Sequence, residues 1–226
     1  MARRLKLTAG DNVVTARLAM PDEPEAVGVL LAHGAGVGQD HQWMVTMRDN
    51  LAGHGLPTMT FNYAYTEAGR KAPDRPPKLL AVHATALERM YRYVDTVVLA
   101  GKSMGGRMAS HLASESSVAV GGLVYYGYPL VPIGKPTPRP TDHLERIEAP
   151  QLFFCGTRDR LSPPDLITDL AARLPAARVE VINDADHSFA VPKRLGRTAA
   201  EVLAELAVVT AQWVQTTVQS SELARQ

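Results

Sequence analysis

The chain has 226 residues, of which 46% are hydrophobic and 21% are charged, and its formal net charge at pH 7 is +1. This composition is typical of a globular protein with a conventional core and excludes collagen, a coiled coil and a disordered chain. The near-zero net charge argues against a nucleic-acid binder, and a single cysteine, Cys155, excludes a disulfide framework or a cysteine-rich metal site. No apolar run reaches the length of about 18 residues that a membrane span needs, and no signal peptide is apparent, so we expect a cytoplasmic protein.

Short apolar runs rich in β-branched residues recur along the chain and predict strands. Most of these runs are continuous rather than alternating, as expected for strands that are buried on both faces. In residues 80–94 and 199–219 the apolar positions are instead spaced by three and four, which predicts two amphipathic helices. The predicted strands are residues 13–20, 26–32, 56–61, 96–100, 118–126, 151–155 and 178–182.

The alternation of strands and helices predicts an α/β fold, with a mostly parallel central sheet and helices on both faces. The first two predicted strands are too close in sequence for a crossover helix, so we expect an antiparallel start. Residues 63–78 and the proline-rich residues 127–140 interrupt the alternation, which resumes after each of them, so we expect one domain over residues 1–226. Both segments follow strands and should project from the carboxyl edge of the sheet, where ligands of open α/β sheets bind.

The strongest motif is Gly-Lys-Ser-Met-Gly at residues 101–105, which follows a predicted strand and opens a predicted helix at residues 104–114. A G-x-S-x-G sequence in this setting is typical of a nucleophilic serine on a sharp turn, because glycines let the strand and the helix approach closely. Ser103 is therefore the predicted nucleophile. The alternative is a glycine-rich turn in which the serine only caps the helix.

A serine hydroxyl needs a neighbouring base to become a nucleophile, and the chain has seven histidines. His187 lies just after the last predicted strand and is the predicted base. The other histidines are assigned to helices, ordinary loops or structural roles; those on helices or ordinary loops are His54, His83, His111 and His143.

The base in turn needs a carboxylate that fixes its tautomer. Asp159 follows the carboxyl end of a predicted strand, from which it can reach a histidine on the next loop. Asp165 is a weaker candidate because it begins a predicted helix, and Asp184 and Asp186 are too close in sequence to His187. The resulting order along the chain, serine then acid then histidine, is the order expected for an α/β-hydrolase triad.

A fourth motif, His-Gly-Ala-Gly at residues 33–36, also ends an apolar predicted strand. Acyl transfer creates an oxyanion that requires preorganised N–H donors, and we assign these to the backbone N–H groups of Ala35 and Met104. His33 is then expected to hold the loop by hydrogen bonds. The motif lacks the spacing of a phosphate-binding loop. A serine triad requires no metal or organic cofactor, so none is expected.

Together, HGAG after a strand, GKSMGG, GTRD after a strand and DHSF before the terminal helix resemble the α/β-hydrolase superfamily, and in particular its small dienelactone-hydrolase-like branch. That branch also includes hydrolase-like domains associated with eukaryotic chromatin acetyltransferase complexes. The resemblance covers about residues 13–213 and implies an α/β-hydrolase fold. Dienelactone hydrolases carry a cysteine nucleophile where this sequence has Ser103. Residues 127–140 are too few for the helical cap of larger lipases, so the site should be open.

These motifs predict a serine hydrolase that cleaves an ester-like small molecule through an acyl-enzyme. Thioester, lactone and peptide substrates stay open, as does the oligomeric state. Tyr63, Tyr65 and the loop that follows them are expected to form a second wall of the site, with the two tyrosines in contact with the substrate. Lys102 is given no role, and Arg107 is expected to be a structural ion-pair partner. The alternative is a catalytically idle hydrolase fold that serves as a binding or scaffold module.

Overall fold

A computed structural model describes residues 2–115 and 119–219. Within these ranges the chain forms one sheet with helices on both faces, which confirms the predicted α/β architecture. Val118, the expected first residue of the fifth predicted strand, lies outside the described residues. The strands are β1 (Arg3–Ala9), β2 (Asn12–Ala19), β3 (Val27–Ala32), β4 (Thr58–Phe61), β5 (Thr96–Lys102), β6 (Gly122–Tyr126), β7 (Gln151–Gly156) and β8 (Ala177–Ile182).

Helices connect the strands and cover both faces of the sheet. A 3₁₀ turn (Lys193–Leu195) precedes the last helix, and a π-helical segment (Val214–Gln219) continues it. The helices are α1 (Gln42–Gly53), α2 (Ala64–Glu67), α3 (Pro76–Met90), α4 (Met104–Glu115), α5 (Asp142–Glu145), α6 (Pro164–Ala171) and α7 (Ala199–Trp213).

The strand order over the described residues is β1-β2-β4-β3-β5-β6-β7-β8. The sheet is parallel from β4 through β3 to β8, and β2 is antiparallel to both β1 and β4. The sheet does start antiparallel, as expected, but the first two predicted strands are not neighbours. These two strands are β2 and β3, and β4 lies between them because the α1 crossover returns the chain to that position.

Strand β1 was not predicted from the sequence. It lies at one edge of the sheet, and Arg3, Arg4 and Lys6 on it are exposed, while Leu7 and Ala9 are buried. An edge strand that carries charges has too few apolar positions to give a strand-like run. The three basic residues therefore belong to a strand that protects a sheet edge.

Helix α3 begins earlier than the predicted residue 80, inside the segment that was expected to be a loop. Arg75 is extended and Pro76 occupies the first helical position, where a proline costs no hydrogen bond. The helix also ends earlier, at Met90, and a turn over residues 91–93 leads into β5. The proline that appeared to mark a loop is thus the start signal of a helix.

Two cores flank the sheet, because successive side chains of its central strands point to opposite faces. Tyr125 and Phe153 belong to the core beneath α3 and α4, whereas Tyr126 and Phe154 belong to the core beneath α1 and α7. All four side chains are fully buried. This two-sided burial explains why the central strands read as continuous apolar runs, and it fixes the positions of the loops at the carboxyl edge.

The turn between β5 and α4 packs against the end of β3 with no room for side chains. A Cβ atom on Gly101 would lie 2.2 Å from the Gly106 nitrogen, and one on Gly105 would lie 2.3 Å from the Ala32 carbonyl oxygen. Both distances are shorter than a real Cβ contact. Glycine at these positions is therefore what allows α4 to begin directly above the sheet.

We predict that Gly105→Ala lowers the free energy of unfolding by about 1–3 kcal/mol or more, because its methyl group must displace the backbone of β3. Gly53→Ala is the matched control, since a Cβ atom on Gly53, at the end of α1, meets nothing within 4 Å. This control should leave stability unchanged or raise it by up to about 1 kcal/mol. Urea unfolding measures both variants, and equal stabilities for the two would contradict the packing described for this turn.

Candidate active site

Ser103 stands alone between β5 and α4, at the carboxyl edge of the sheet. Its φ angle is +52°, a left-handed conformation that side-chain-bearing residues seldom adopt. The Ser103 N–H donates to the Tyr126 carbonyl oxygen (3.1 Å), and the Ser103 carbonyl accepts from the Arg107 N–H (3.2 Å). The side chain is half-buried. The sharp turn therefore holds the hydroxyl at a defined position at the mouth of a cavity.

His187 reaches Ser103 from the loop that follows β8. Its Nε2 atom lies 2.9 Å from Ser103 Oγ. The loop is held by the Asp186 carboxylate, whose Oδ1 accepts from the N–H groups of Ser188 (2.8 Å) and Ala190 (3.0 Å). Asp186 thus shapes the loop around the imidazole rather than pairing with it.

Asp159 contacts the other nitrogen of the same imidazole. Its Oδ2 atom lies 2.7 Å from His187 Nδ1, and Oδ1 accepts from the N–H groups of Leu161 (2.8 Å) and Ser162 (3.1 Å). Burial alone would raise the pKa of the Asp159 carboxyl. The hydrogen bond and charge of His187, with the two backbone N–H groups, outweigh burial and hold the pKa below its ordinary value.

The ionised state of Asp159 determines the tautomer of His187. A carboxylate only accepts hydrogen bonds, so Nδ1 of the imidazole must carry the proton and donate it to Asp159 Oδ2. In the neutral ring Nε2 then has a free lone pair and accepts from the Ser103 hydroxyl. The order of donors is thus Ser103 to His187 to Asp159, which is the arrangement that prepares a serine for proton loss.

Gly127 lies directly beneath this contact. Its φ angle is +71°, and a Cβ atom there would lie 3.2 Å from Asp159 Oδ2 and 3.2 Å from His187 Nδ1. The Gly127 N–H donates to the Phe154 carbonyl oxygen (2.9 Å), which ties the start of the 127–140 segment to β7. A glycine is required here because the carboxylate and the imidazole occupy the space that a side chain would need.

Ala35 and Met104, the predicted oxyanion donors, both line the same cavity as Ser103. Met104 is the first residue of α4, so its N–H is one of those that have no acceptor within the helix. Ala35 lies in the 33–36 turn, next to Gly36, whose φ angle is +78°. The structure therefore brings both backbone segments to the cavity that Ser103 lines.

His33 braces the turn that carries Ala35. It is fully buried, and its Nδ1 lies 2.8 Å from the Gly34 carbonyl oxygen. Nε2 accepts from the Tyr63 N–H (3.2 Å), with Thr66 Oγ1 at 3.4 Å. Burial lowers its pKa to about 4, so the ring is neutral near pH 7. These contacts confirm the expectation that His33 holds the loop.

The positions of Tyr63 and Tyr65 contradict the expectation that these side chains contact the substrate. Both side chains are fully buried, and neither lines the cavity beside Ser103. The Tyr63 hydroxyl lies 3.2 Å from His83 Nδ1, and the Tyr65 hydroxyl donates to the Gly34 carbonyl oxygen (3.5 Å). The chain folds inward after β4, so these rings support the 33–36 turn from behind.

The cavity at Ser103 has a volume of about 340 Å³. One wall comes from the proline-rich 127–140 segment, as the sequence indicates, and includes Pro129, Val131 and Ile133. Ile133 is 84% exposed and forms part of the rim. The facing wall comes from residues 73–79, further along the chain than the predicted tyrosines. No large cap is present between β6 and α5 in the part of the chain that the structure describes.

Arginines of the cavity were missed by the sequence reasoning. Arg107 and Arg139 both line it, and no ion pair of Arg107 is found among the described residues. The expectation that Arg107 is a structural ion-pair partner is therefore wrong. The available signal was its place in the first turn of the predicted helix, directly after Ser103.

Lys102 and Cys155 are buried near the site without lining the cavity. The Lys102 ammonium lies 5.9 Å from the centre of the Phe189 ring, and burial lowers its pKa to about 8 against the opposing charges of Asp159 and Asp186. Burial raises the pKa of Cys155 to about 12, so its thiol is protonated and packs as a small apolar group. Neither is placed to act as the nucleophile.

A larger cavity of about 710 Å³ lies at the amino edge of the sheet. Ala19, Glu23 and Asp49 are among its lining residues, and Ser103, Asp159 and His187 are not. Within the described ranges no cluster of three or more histidine, cysteine, aspartate or glutamate side chains is arranged to hold a metal ion. The described helices also include none with the length and apolar character of a bilayer span.

We predict that stability falls as the pH drops from about 6.5 to 4, because buried histidines must stay neutral in the fold. Burial lowers the pKa of His83 to about 3 and that of His33 to about 4, whereas an unfolded chain takes up these protons near pH 6.5. Each contributes a slope of at most about 1.4 kcal/mol per pH unit, with higher stability at higher pH.

Urea unfolding of His83→Phe between pH 6.5 and 4.5 tests this expectation. The variant keeps a ring against Phe61 and Tyr63 but cannot take up the proton, so its slope should be shallower. Tyr63→Phe is the control, because it removes the hydroxyl contact of His83 and leaves the imidazole in place. An identical slope in wild type and His83→Phe would contradict a neutral buried His83.

Comparison with known proteins shows which family the chain belongs to. Residues 25–215 match the family described as Alpha/beta hydrolase domain. A dienelactone hydrolase from Anabaena variabilis is 20% identical, with a TM-score of 0.76 over 96% of this chain and 98% of that one. An α/β serine hydrolase homologue from Coxiella burnetii is 17% identical, with a TM-score of 0.74 over 92% and 96%.

A third similar structure is of a hydrolase that has no lid. It is an α/β serine hydrolase without a lid from Xanthomonas campestris, 15% identical, with a TM-score of 0.72 over 94% of each chain. At these identities the structures establish the common fold, and the family match covers most of the chain. The chain belongs to the Alpha/beta hydrolase domain family.

Proposed function

We propose that this protein is a serine hydrolase that cleaves an ester-like acyl substrate, with Ser103, His187 and Asp159 as its catalytic residues. The observation that carries the proposal is the continuous chain of contacts from Ser103 Oγ through His187 to Asp159, with separations of 2.9 and 2.7 Å. Membership of a hydrolase family supports the reaction class. The cavity beside Ser103 supports a small-molecule substrate.

In the proposed first step, Ser103 Oγ attacks the carbonyl carbon of the substrate while its proton passes to His187 Nε2. The imidazolium that forms is stabilised by Asp159, which is already ionised and buried beside Nδ1. The carbonyl oxygen becomes an oxyanion, for which we assign the N–H groups of Ala35 and Met104 as donors. Such preorganised donors are typically worth a factor of about 10²–10³ each in rate.

His187 then returns the proton to the leaving alcohol or thiol, and an acyl-enzyme on Ser103 Oγ is left. Water enters, gives a proton to the same Nε2 atom and attacks the acyl carbon. His187 then returns that proton to Ser103 Oγ as the bond from Oγ to the acyl carbon breaks, so that the acid is released and Ser103 is restored. The absence of a large cap in the described residues supports an open route for water and substrate. All steps use one histidine, and its orientation by Asp159 serves both halves of the reaction.

The alternative of a catalytically idle scaffold is not favoured. A scaffold requires neither the hydrogen-bonded chain nor a left-handed Ser103, and such strain persists where the surrounding structure enforces it. The cost of a side-chain residue in this conformation is about 1–3 kcal/mol. A catalytic role explains this strained conformation, because the sharp turn presents the Ser103 hydroxyl to the substrate.

We predict that a fluorophosphonate probe forms a covalent adduct on Ser103 of the wild-type protein, because attack on phosphorus requires a serine with a working base. The adduct is read by intact mass and by peptide mapping. Ser103→Ala should give no adduct. Ser114→Ala is the matched control, since Ser114 lies on the same helix with its hydroxyl bonded to the His111 carbonyl, and it should label as wild type does.

An adduct on another residue, or none on folded wild-type protein, would contradict the assignment of Ser103. A positive result would justify a screen of esters, thioesters, lactones and peptides. Replacement of Ser103 should then reduce kcat by several orders of magnitude on any substrate found.

A further inference from the structure

Arg107 presents a guanidinium to the cavity one helical turn beyond the nucleophile. Its backbone N–H donates to the Ser103 carbonyl oxygen (3.2 Å), which fixes Arg107, in the first turn of α4, one turn after Ser103. The side chain is half-buried and lines the cavity together with Ser103 and Met104. Within the described residues no carboxylate pairs with it, so its charge is directed to whatever occupies the cavity.

Arg139 brings a second guanidinium to the same cavity from the proline-rich segment. Its backbone N–H donates to the Leu130 carbonyl (2.8 Å), and its Nε–H donates to the Pro129 carbonyl (3.1 Å). These contacts set the direction of the side chain and leave its two terminal nitrogens without an acceptor among the described residues. The group is therefore oriented in advance, as anion recognition by arginine requires.

The two arginines repel each other across the cavity. Burial, and then the charge of Arg139, lower the pKa of Arg107. The acidic side chain among the lining residues is Asp74, and Arg70 already neutralises it across a distance of 2.7 Å. An anion bound between Arg107 and Arg139 would relieve both the repulsion and the partial desolvation.

We propose that Arg107 and Arg139 form an anion-binding subsite that selects ester substrates carrying a second, compact anionic group such as a carboxylate. This assignment rests on the proposed function of Ser103. It deepens that function by naming the substrate class. Both arginines are specificity-determining residues in this account, and the bond that is cleaved remains the ester at Ser103.

The cavity also indicates how far the anion lies from the ester. Ser103 and Arg107 are one backbone turn apart and line the same cavity, so the anion and the reacting carbonyl should be joined by a short linker. The cavity lining also includes apolar residues, among them Pro129, Val131 and Leu161. A half-ester of a short dicarboxylic acid, in which a few methylene groups join the two ends, has these properties.

The experiment compares phenyl hydrogen glutarate with its methyl-capped diester and with its ω-phosphonate analogue, after subtraction of the spontaneous rates. In the wild type we expect kcat/KM for the carboxylate to exceed that for the capped ester by about 10–100-fold, the range expected for charged hydrogen bonds. The phosphonate arm tells whether the subsite takes a planar carboxylate or a tetrahedral anion.

Arg107→Gln and Arg139→Gln should each reduce this ratio by about tenfold, and Arg107→Lys should restore part of it as a point charge. Arg173→Gln removes an exposed arginine outside the cavity and should keep the wild-type ratio. Thermal unfolding of each variant is measured alongside. Since Arg107 has no ion pair to lose, Arg107→Gln should unfold at or above the wild-type temperature in the absence of ligand.

A second readout separates failure of this proposal from failure of the proposed function. Ser103→Ala cannot form the acyl-enzyme, and we expect monomethyl glutarate to raise its unfolding temperature, with the increase lost on adding Arg107→Gln. If no ester is cleaved, this binding result alone decides for or against the subsite. Esters cleaved with a ratio near one, a ratio unchanged in both glutamine variants, or no binding to Ser103→Ala would each overturn it.

Discussion

The turn at Ser103 is the constraint on which the rest of the site depends. Gly101 and Gly105 have no space for a Cβ atom, and between them Ser103 adopts a left-handed φ of +52°. This packing starts α4 immediately at the end of β5, with Met104 at the cavity. The same geometry places Arg107 in the first turn of α4, so the proposed nucleophile and the proposed specificity residue line one cavity.

Backbone groups, rather than long side chains, hold the ionisable residues in place around this turn. Asp159 accepts two backbone N–H groups, and the His187 loop closes on the Asp186 carboxylate. His33 bonds to backbone on both sides of its ring. Such contacts cost little reorganisation when charge develops, which is the condition for electrostatic stabilisation of a transition state.

The sequence was sufficient to predict the fold class and to bring together Ser103, Asp159 and His187, because each lies where a strand ends and the carboxyl ends of parallel strands meet at one edge. It was not sufficient for the pairing of β2 with β4, which depends on where the α1 crossover returns. Nor did it reveal the burial of Tyr63 and Tyr65, since two tyrosines after a strand can face either the core or the solvent. The position of Arg107 at the cavity could have been predicted from the start of the helix after Ser103. That of Arg139 could not, because it depends on the path of the 127–140 segment.

The central claim is that the turn presents Ser103 to a substrate whose carbonyl oxygen lies between two backbone segments. A crystal structure of the fluorophosphonate adduct tests it most directly, because the phosphoryl oxygen stands in for the oxyanion. We predict an adduct on Ser103 Oγ whose phosphoryl oxygen accepts from the N–H groups of Ala35 and Met104 at about 2.7–3.1 Å. An oxygen that points to solvent, or an adduct on a different residue, would contradict the account.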